Sequence, residues 1–346
     1  MLVSKGRAGW TVQFDELSKL MLRMELADGT VGLGEFYRDA NLERVRQIAG
    51  GLLGQSLLDL PLQALPIPLC REYDGFECAI WDAFAKSADV PLHALLGGAV
   101  RDKVYIGGWS SHRGAEEMGQ VARKFQEQGY DSIKIKSDLE DDVVGICAEI
   151  ARCAPGIKVM IDPNQRWENV AATKLRLRGL EAVGNCVVLE DPIPRWMWQD
   201  YVELRRMTSI PIVLHISLPY VEMGQRPHDA INAIQHNSVD GFNFNAGLAK
   251  YRQLDAIAST ANLFSWHGSE ADLGILEAMY VHQAAAAQSC VWPSDIVGPI
   301  IRSSDLLVES LRFEPPFVHL PMGPGLGVEL SLDAVEKHRI AQHIVA

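Results

Sequence analysis

The chain has 346 residues, 48% of them hydrophobic and 22% charged, with a formal net charge of -12. This is the composition of a globular protein, long enough for one large α/β barrel or two domains and too apolar to stay disordered. The acidic balance, with Lys and Arg scattered along the chain, excludes nucleic acid as a partner, because no basic stretch is available to neutralise a phosphate backbone.

In chain order, residues 10–35 read as two strands. The segments 20–26 and 31–35 are β-compatible, and Ala27-Asp28-Gly29-Thr30 forms the turn of a hairpin between them. Apolar spacing at Val45, Ile48, Leu52 and Leu53 predicts a helix within 41–62, broken by the prolines of 61–68. A further apolar helix over 77–85 carries Trp81, and Leu95-Leu96-Gly97-Gly98 closes the segment after it. The first hundred residues therefore read as a small α+β unit.

After Arg101 the texture becomes an alternation of strands and helices. Val104-Tyr105-Ile106 starts it, and helices are predicted at 115–128, 141–153, 170–180, 198–207, 228–234, 251–260 and 274–287. Alternation of this kind gives a parallel sheet covered by helices. Candidate strand ends fall at Lys136, Asp162, Glu190, His215, Asp240 and His267, at intervals of 25 to 28 residues. So even a cadence favours a closed (β/α) barrel, whose active site lies at the C-terminal ends of its strands. The last segment, 311–346, holds a β-like Pro316-Phe317-Val318-His319-Leu320, the turn Met322 to Gly327 and a helix over 333–343, and is expected to return to the N-terminal unit.

No uncharged apolar run reaches the roughly 20 residues of a membrane span, and the residues Met1 to Arg7 lack the apolar core of a signal peptide. A soluble cytoplasmic protein with no membrane partner is expected. Cys70, Cys78, Cys147, Cys153, Cys186 and Cys290 form no Cys-x-x-Cys pair, so neither a disulfide framework nor a zinc site is expected.

The chemistry gathers at the strand ends. Lys134 and Lys136 are two apart on a strand, so both ammonium groups project to one face. Repulsion between them suits one lysine to act as a base. Asp162 and Glu190 are hard oxygen ligands for Mg²⁺ or Mn²⁺, and Asn164, two positions beyond Asp162, points the same way toward a substrate. A metal and one lysine can hold a substrate carboxylate while the other lysine removes its α-proton. His267 is a candidate acid/base at the same rim, with Asp240 as the group that orients it.

These residues resemble the enolase superfamily, in its mandelate racemase and muconate-lactonizing branch. The resemblance runs through Asp28-Gly29, Gly34-Glu35, Trp81-Asp82, Leu95-Leu96-Gly97-Gly98 and Lys134-Ile135-Lys136. It continues through Asp162-Pro163-Asn164, Leu189-Glu190-Asp191-Pro192, His267-Gly268-Ser269 and Pro324-Gly325-Leu326-Gly327. It implies an α/β fold: a modified (β/α)7β TIM-like barrel at 101–310 under an α+β capping domain at 1–100, completed by 311–346. It makes Lys136 the base, Lys134 its electrostatic partner, Asp162 and Glu190 the first two ligands of a divalent metal, and His267 the acid/base of racemase-like members.

The chain departs from the family pattern in three places. Pro211-Ile212-Val213-Leu214-His215-Ile216-Ser217 puts His215 or Ile216 where an acidic third ligand is usual. With His215 as ligand the metal shifts from Mg²⁺ toward Mn²⁺ or a softer ion. Asn243 and Asn245 stand near the place of the strand-six lysine of lactonizing and epimerising members, and the partner of His267 falls at Asp240 or near Phe242. The segment between Glu35 and Glu77 is short for the capping domain, which leaves the substrate pocket unread.

The reaction implied is abstraction of the α-proton of a small carboxylate substrate to an enediolate, as in acid-sugar dehydration. A racemase or epimerase of a 2-hydroxy or amino acid derivative is the first alternative, and a divergent binding protein without chemistry is the second. A homo-oligomer is expected from the family's habit of symmetric assembly.

Overall fold

A computed structural model describes residues 18–345. Residues 1–17, on which the readings of the N-terminus and of the start of the first strand fall, lie outside the described residues.

The N-terminal unit begins with an antiparallel pair, β1 (Met21–Glu25) and β2 (Val31–Glu35), joined by a turn in which Asp28 Oδ1 accepts the Thr30 N–H at 2.9 Å. Helix α1 (Leu42–Leu52) starts at Asn41, whose side chain caps the Arg44 N–H. Helix α2 (Tyr73–Ser87), buried almost all round, packs on β2, and α3 (Leu92–Leu95) follows. The close packing of β2 on α2 requires glycine: a Cβ at Gly34 would stand 2.2 Å from the Gly75 carbonyl oxygen.

The alternation then runs β3 (Lys103–Tyr105), β4 (Gly108–Ser110), α4 (Ala115–Glu127), β5 (Ser132–Lys136), α5 (Val143–Cys153), β6 (Lys158–Asp162), α6 (Val170–Val183), β7 (Cys186–Glu190) and α7 (Trp198–Met207). It continues with β8 (Ile212–Ser217), α8 (His228–Gln235), β9 (Gly241–Asn245), α9 (Leu248–Thr260), β10 (Phe264–His267) and α10 (Gly274–Ala286). Strands β4 to β10 form one parallel sheet in sequential order. Its edges are bridged by residues 290–294: Cys290 pairs with Ser265 of β10, and Ser294 pairs with Ile106 just before β4.

Strand alternation divides the side chains between two environments. Ile133, Ile135, Ile161, Leu189, Leu214, Ile216, Phe242 and Phe244 face the helices in the main core. Met160, Val188, Val213 and Trp266 meet one another inside the curl. Polar residues at the C-terminal ends of the strands lie above that inner cluster.

The C-terminal segment contains α11 (Gly298–Ile301), β11 (Phe313–Glu314), β12 (Phe317–His319) and α12 (Leu332–His338). The β11–β12 hairpin adds to β3, while the Gly325 N–H donates to the Val90 carbonyl at 2.9 Å and the Leu326 N–H to Asp82 at 2.7 Å. Helix α12 is shorter than the predicted 333–343, and Ile340 beyond it is 86% exposed, with no core to hold a longer helix. No helix among the described residues is long and apolar enough to cross a membrane.

Two predicted strand ends differ: β8 runs two residues past His215 to Ser217, and the end placed at Asp240 is wrong. Strand β9 begins after Asp240 and ends at Asn245, so Asp240 lies at the N-terminal edge of the sheet. There its carboxylate accepts from Arg205 at 2.5 Å and from the Ile212 N–H at 2.9 Å. A carboxylate held by the incoming end of two strands reads in sequence much like one at the outgoing end.

Candidate active site

On β5, Lys134 and Lys136 alternate with Ile133 and Ile135, which are committed to the main core, so both lysines enter the curl. The Lys134 ammonium sits 2.6 Å from Glu190 Oε2, 2.7 Å from Asp295 Oδ2 and 3.4 Å from Asp162 Oδ2, and 5.7 Å from the centre of the Trp266 ring. Burial works to lower its pKa, but Asp295, Glu190 and Asp162 outweigh burial and hold it well above the ordinary lysine value. Lys134 is therefore a fixed cation.

Lys136 lies nearer the rim, donating to Asp162 Oδ2 and, at 3.0 Å, to Asn164 Oδ1. Burial would raise the pKa of Asp162, yet Lys136 and Lys134 keep it below the usual carboxylate range. The turn beyond β6 holds Asn164 with its own N–H on Asp162 Oδ1 at 2.9 Å and with a positive φ of 47°, a conformation that asparagine tolerates well.

Glu190 ends β7. Burial first, then Asp162, push its pKa up, with Lys134 opposing. The next residue, Asp191, is spoken for: its oxygens accept from Arg195 Nε at 2.7 Å and from the His215 N–H at 3.0 Å. His215 faces inward on β8, two positions above Val213, with Nδ1 3.4 Å from Glu190 Oε1. Burial, with Arg195 and Lys134, pushes it well below the ordinary histidine value, so the imidazole is neutral. Ile216 points the other way, into the main core, and has no part in the site.

Asn243, which the sequence places only near the strand-six lysine position of other members, and Asp295, which carries no signal of its own, complete the cluster. Asn243 on β9 donates from Nδ2 to Glu190 Oε1 at 2.9 Å and to Asp295 Oδ2 at 3.2 Å, and Trp266 Nε1 donates to Asp295 at 3.3 Å. Asp295 follows the 290–294 segment that bridges the sheet edges. One more interval of the strand cadence past His267 would have pointed to it.

His267 is not among these residues. Its ring is packed against Tyr251 and Tyr280, at 4.5 and 4.3 Å between centroids, with Nδ1 2.6 Å from the Gly268 carbonyl and Nε2 2.9 Å from Gln283 Oε1. Burial pushes its pKa down to about 4. On β10 it is Trp266 that turns inward, so His267 faces the helices, and Asp240 stands at the opposite edge of the sheet. The expected dyad does not form.

Glu190, Asp191 and His215 each offer a ligand atom within 4.8 Å of one another. Both oxygens of Asp191 are occupied, by Arg195 and the His215 N–H, and so are both oxygens of Asp162, by Lys136 and the Asn164 N–H, so either carboxylate would exchange one of these donors for a cation beside Glu190. The donors fit a divalent cation: His215 Nε2 and Asn243 Oδ1 are buried without hydrogen bonds, and Gly268 leaves open the space beside them that a Cβ would fill. Above the cluster, the Tyr37 hydroxyl lies 3.0 Å from Asp74 Oδ2 and 3.3 Å from Asn245 Oδ1, tying the N-terminal unit to the rim of β9.

Residues 117–334 match the family model described as enolase C-terminal domain-like. The chain belongs to the enolase superfamily, in its mandelate racemase and muconate-lactonizing family. It is 34% identical over 269 residues to muconate cycloisomerase 1 of Rhodococcus opacus, covering 75% of this chain and 70% of that protein. It is 27% identical over 377 residues to a probable glucarate dehydratase of Streptomyces coelicolor, covering 93% and 84%. Among solved structures, the dipeptide epimerase of Cytophaga hutchinsonii, complexed with Mg and D-Ala-L-Val, superposes with a TM-score of 0.79 at 23% identity, covering 92% of this chain and 89% of that one. Enolase-superfamily membership thus joins an α/β fold to an inner rim of lysines, carboxylates and one imidazole.

Proposed function

We propose that Lys136 abstracts the α-proton of a carboxylate substrate, and that the reaction is dehydration of a hydroxylated acid of the acid-sugar class. The observation that carries this is the placement of the Lys136 ammonium at the rim, between Asp162 and Asn164, with the fixed Lys134 cation deeper in the same curl. In this reading the curled sheet is the family's modified (β/α)7β barrel over 101–310, and residues 1–100 with 311–346 form the cap.

Asp162, Glu190 and His215 would hold a divalent cation, which when bound supplies Lewis-acid stabilisation of the charge that develops on the substrate carboxylate. Mg is present in the Cytophaga epimerase structure, which supports a divalent ion of this kind. Lys134 contributes fixed positive charge to the same carboxylate. Asn164 positions the substrate and orients Lys136. Lys136 takes the α-proton on its side-chain nitrogen and leaves an enediolate. The bond from the β-carbon to its hydroxyl then breaks, and the Lys136 ammonium returns the proton to the departing oxygen on the same face. Water and an enol result, and the enol becomes a 2-keto acid.

Dehydration is favoured over racemisation because racemisation needs a second group on the opposite face of the substrate. The two family positions for such a group are filled by asparagines on β9 and by a His267 turned into the helices. The test is to incubate the protein with a panel of sugar acids and simple 2-hydroxy acids and assay 2-keto acid formation. Formation that vanishes in Lys136→Ala supports the reading. Epimerised product without keto acid would replace dehydration by racemisation.

A further inference from the structure

Ser217 ends β8 and Asn245 ends β9, and the two are register partners in the parallel pair, on strands about 4.8 Å apart. Both face into the curl, because Ile216 and Phe244 beside them are committed to the main core. Both side chains are fully buried, and among the described residues neither Ser217 Oγ nor Asn245 Nδ2 has a hydrogen-bond partner. Buried polar atoms are normally paired, so two such atoms side by side at the rim mark a place that another molecule completes.

The rest of each residue is already held. The Ser217 N–H donates to Gln225 Oε1 at 2.7 Å, and Asn245 Oδ1 accepts from the Tyr37 hydroxyl at 3.3 Å, which leaves Nδ2 as the open end of the amide. The pair lies one strand step nearer the cap than His215 and Asn243, the residues that reach Glu190. It therefore faces the part of a substrate remote from the carboxylate held deeper in the curl. Asn245 Nδ2 can only donate, whereas a serine hydroxyl donates or accepts. An anion would suit two donors, but the ionisable groups just beyond, Asp74 on Tyr37 and Glu77 beside Gly247, are carboxyls. A neutral hydroxyl fits the pair: it accepts from Nδ2 and donates to Oγ.

We propose that Ser217 and Asn245 form a substrate subsite for a hydroxyl beyond the β-carbon, so that the preferred substrates are polyhydroxy acids of four or more carbons. The inference rests on the reading of the site as one for hydroxylated acids, and it names the residues that choose among them.

The test titrates aldonic acids of three to six carbons, from glycerate to the hexonates, into Lys136→Ala protein supplied with Mg²⁺ and Mn²⁺. Affinities are measured by calorimetry and, for weak binders, by NMR titration. At least one longer acid should bind ~100-fold or more tighter than glycerate, which lacks the hydroxyl. In the same background, Ser217→Ala should weaken that acid by ~10-fold and Asn245→Leu by ~10- to 100-fold, while glycerate binding stays unchanged. Ser217→Thr, which keeps the hydroxyl, should retain the preference. A loss shared equally by glycerate and the longer acid would show that the pair supports the fold alone and would overturn the proposal. Equal affinity at every chain length, or binding of no aldonate, would overturn it too. Should α-proton exchange be absent from the wild type while the chain-length preference and its dependence on Ser217 and Asn245 persist, the proton-abstraction reading fails and this inference stands.

Discussion

The most searching perturbation of the site is Lys134→Met. Wild-type Lys134 places one buried ammonium within 3.4 Å of three carboxylates, Glu190, Asp295 and Asp162, with its side chain 5% exposed. Truncating one member of a buried ion pair costs about 3–5 kcal/mol, because the charges left behind lose their counterion. Here the lower end is expected, since burial already raises the pKa of Glu190 and a proton can replace part of the lost charge. With an unfolding entropy of ~2.1 cal/mol/K per residue, about 3 kcal/mol lowers the Tm of this 346-residue chain by about 4 °C. Thermal unfolding of metal-stripped protein followed by circular dichroism measures this directly, and added Mn²⁺ should recover more stability in the variant than in the wild type. Equal Tm values without metal would refute the idea that Lys134 holds the carboxylates together.

Three further outcomes are expected. Gly268→Ala puts a methyl group 2.5 Å from Asn243 Oδ1, so Mn²⁺ affinity measured by calorimetry should fall by ~10-fold or more while far-UV circular dichroism stays unchanged. His267→Gln should leave α-proton exchange nearly intact; a loss of the ~10²–10⁴-fold that a general acid contributes would return His267 to the mechanism. Burial first, with Glu270 repelling Asp74 and Asp74 repelling Glu77, pushes Asp74 up to about 7 and Glu77 up to about 8. The folded state then keeps protons that the unfolded chain has lost, so stability is greatest below the ordinary carboxyl range and falls as pH rises through 7 to 8. Glu77→Gln should flatten the fall in Tm between pH 5 and 8, and an unchanged slope would show that Glu77 does not titrate in that range.

Much of the alternation was legible because strand and helix periods are strong signals over 200 residues. Trp198–Met207 is where the spacing put it, and the ends of β5, β6 and β7 are Lys136, Asp162 and Glu190. The orientation of β5 was also legible, since Ile133 and Ile135 flank lysines and only one face of that strand can be apolar. What escaped was parity on the later strands. Phe264-Ser265-Trp266-His267 has a large ring on one face and a histidine on the other, and both faces of this strand are buried, so periodicity cannot tell which points inward. Asp240 misled because a carboxylate capping incoming strands resembles one ending them. Asp295 escaped because residues 290–294 make isolated bridges in place of a strand with its own pattern. The choice between His215 and Ile216 needed only the register of β8, which places Val213 inside and Ile216 outside.

The central claim, that Lys136 is the base, is tested most directly by ¹H NMR of α-proton exchange in D₂O on a panel of sugar acids and 2-hydroxy acids, comparing wild type with Lys136→Ala. Deuterium should enter the α-position of at least one member with the wild type and not with the variant. Exchange that continues in Lys136→Ala at the wild-type rate would contradict the account.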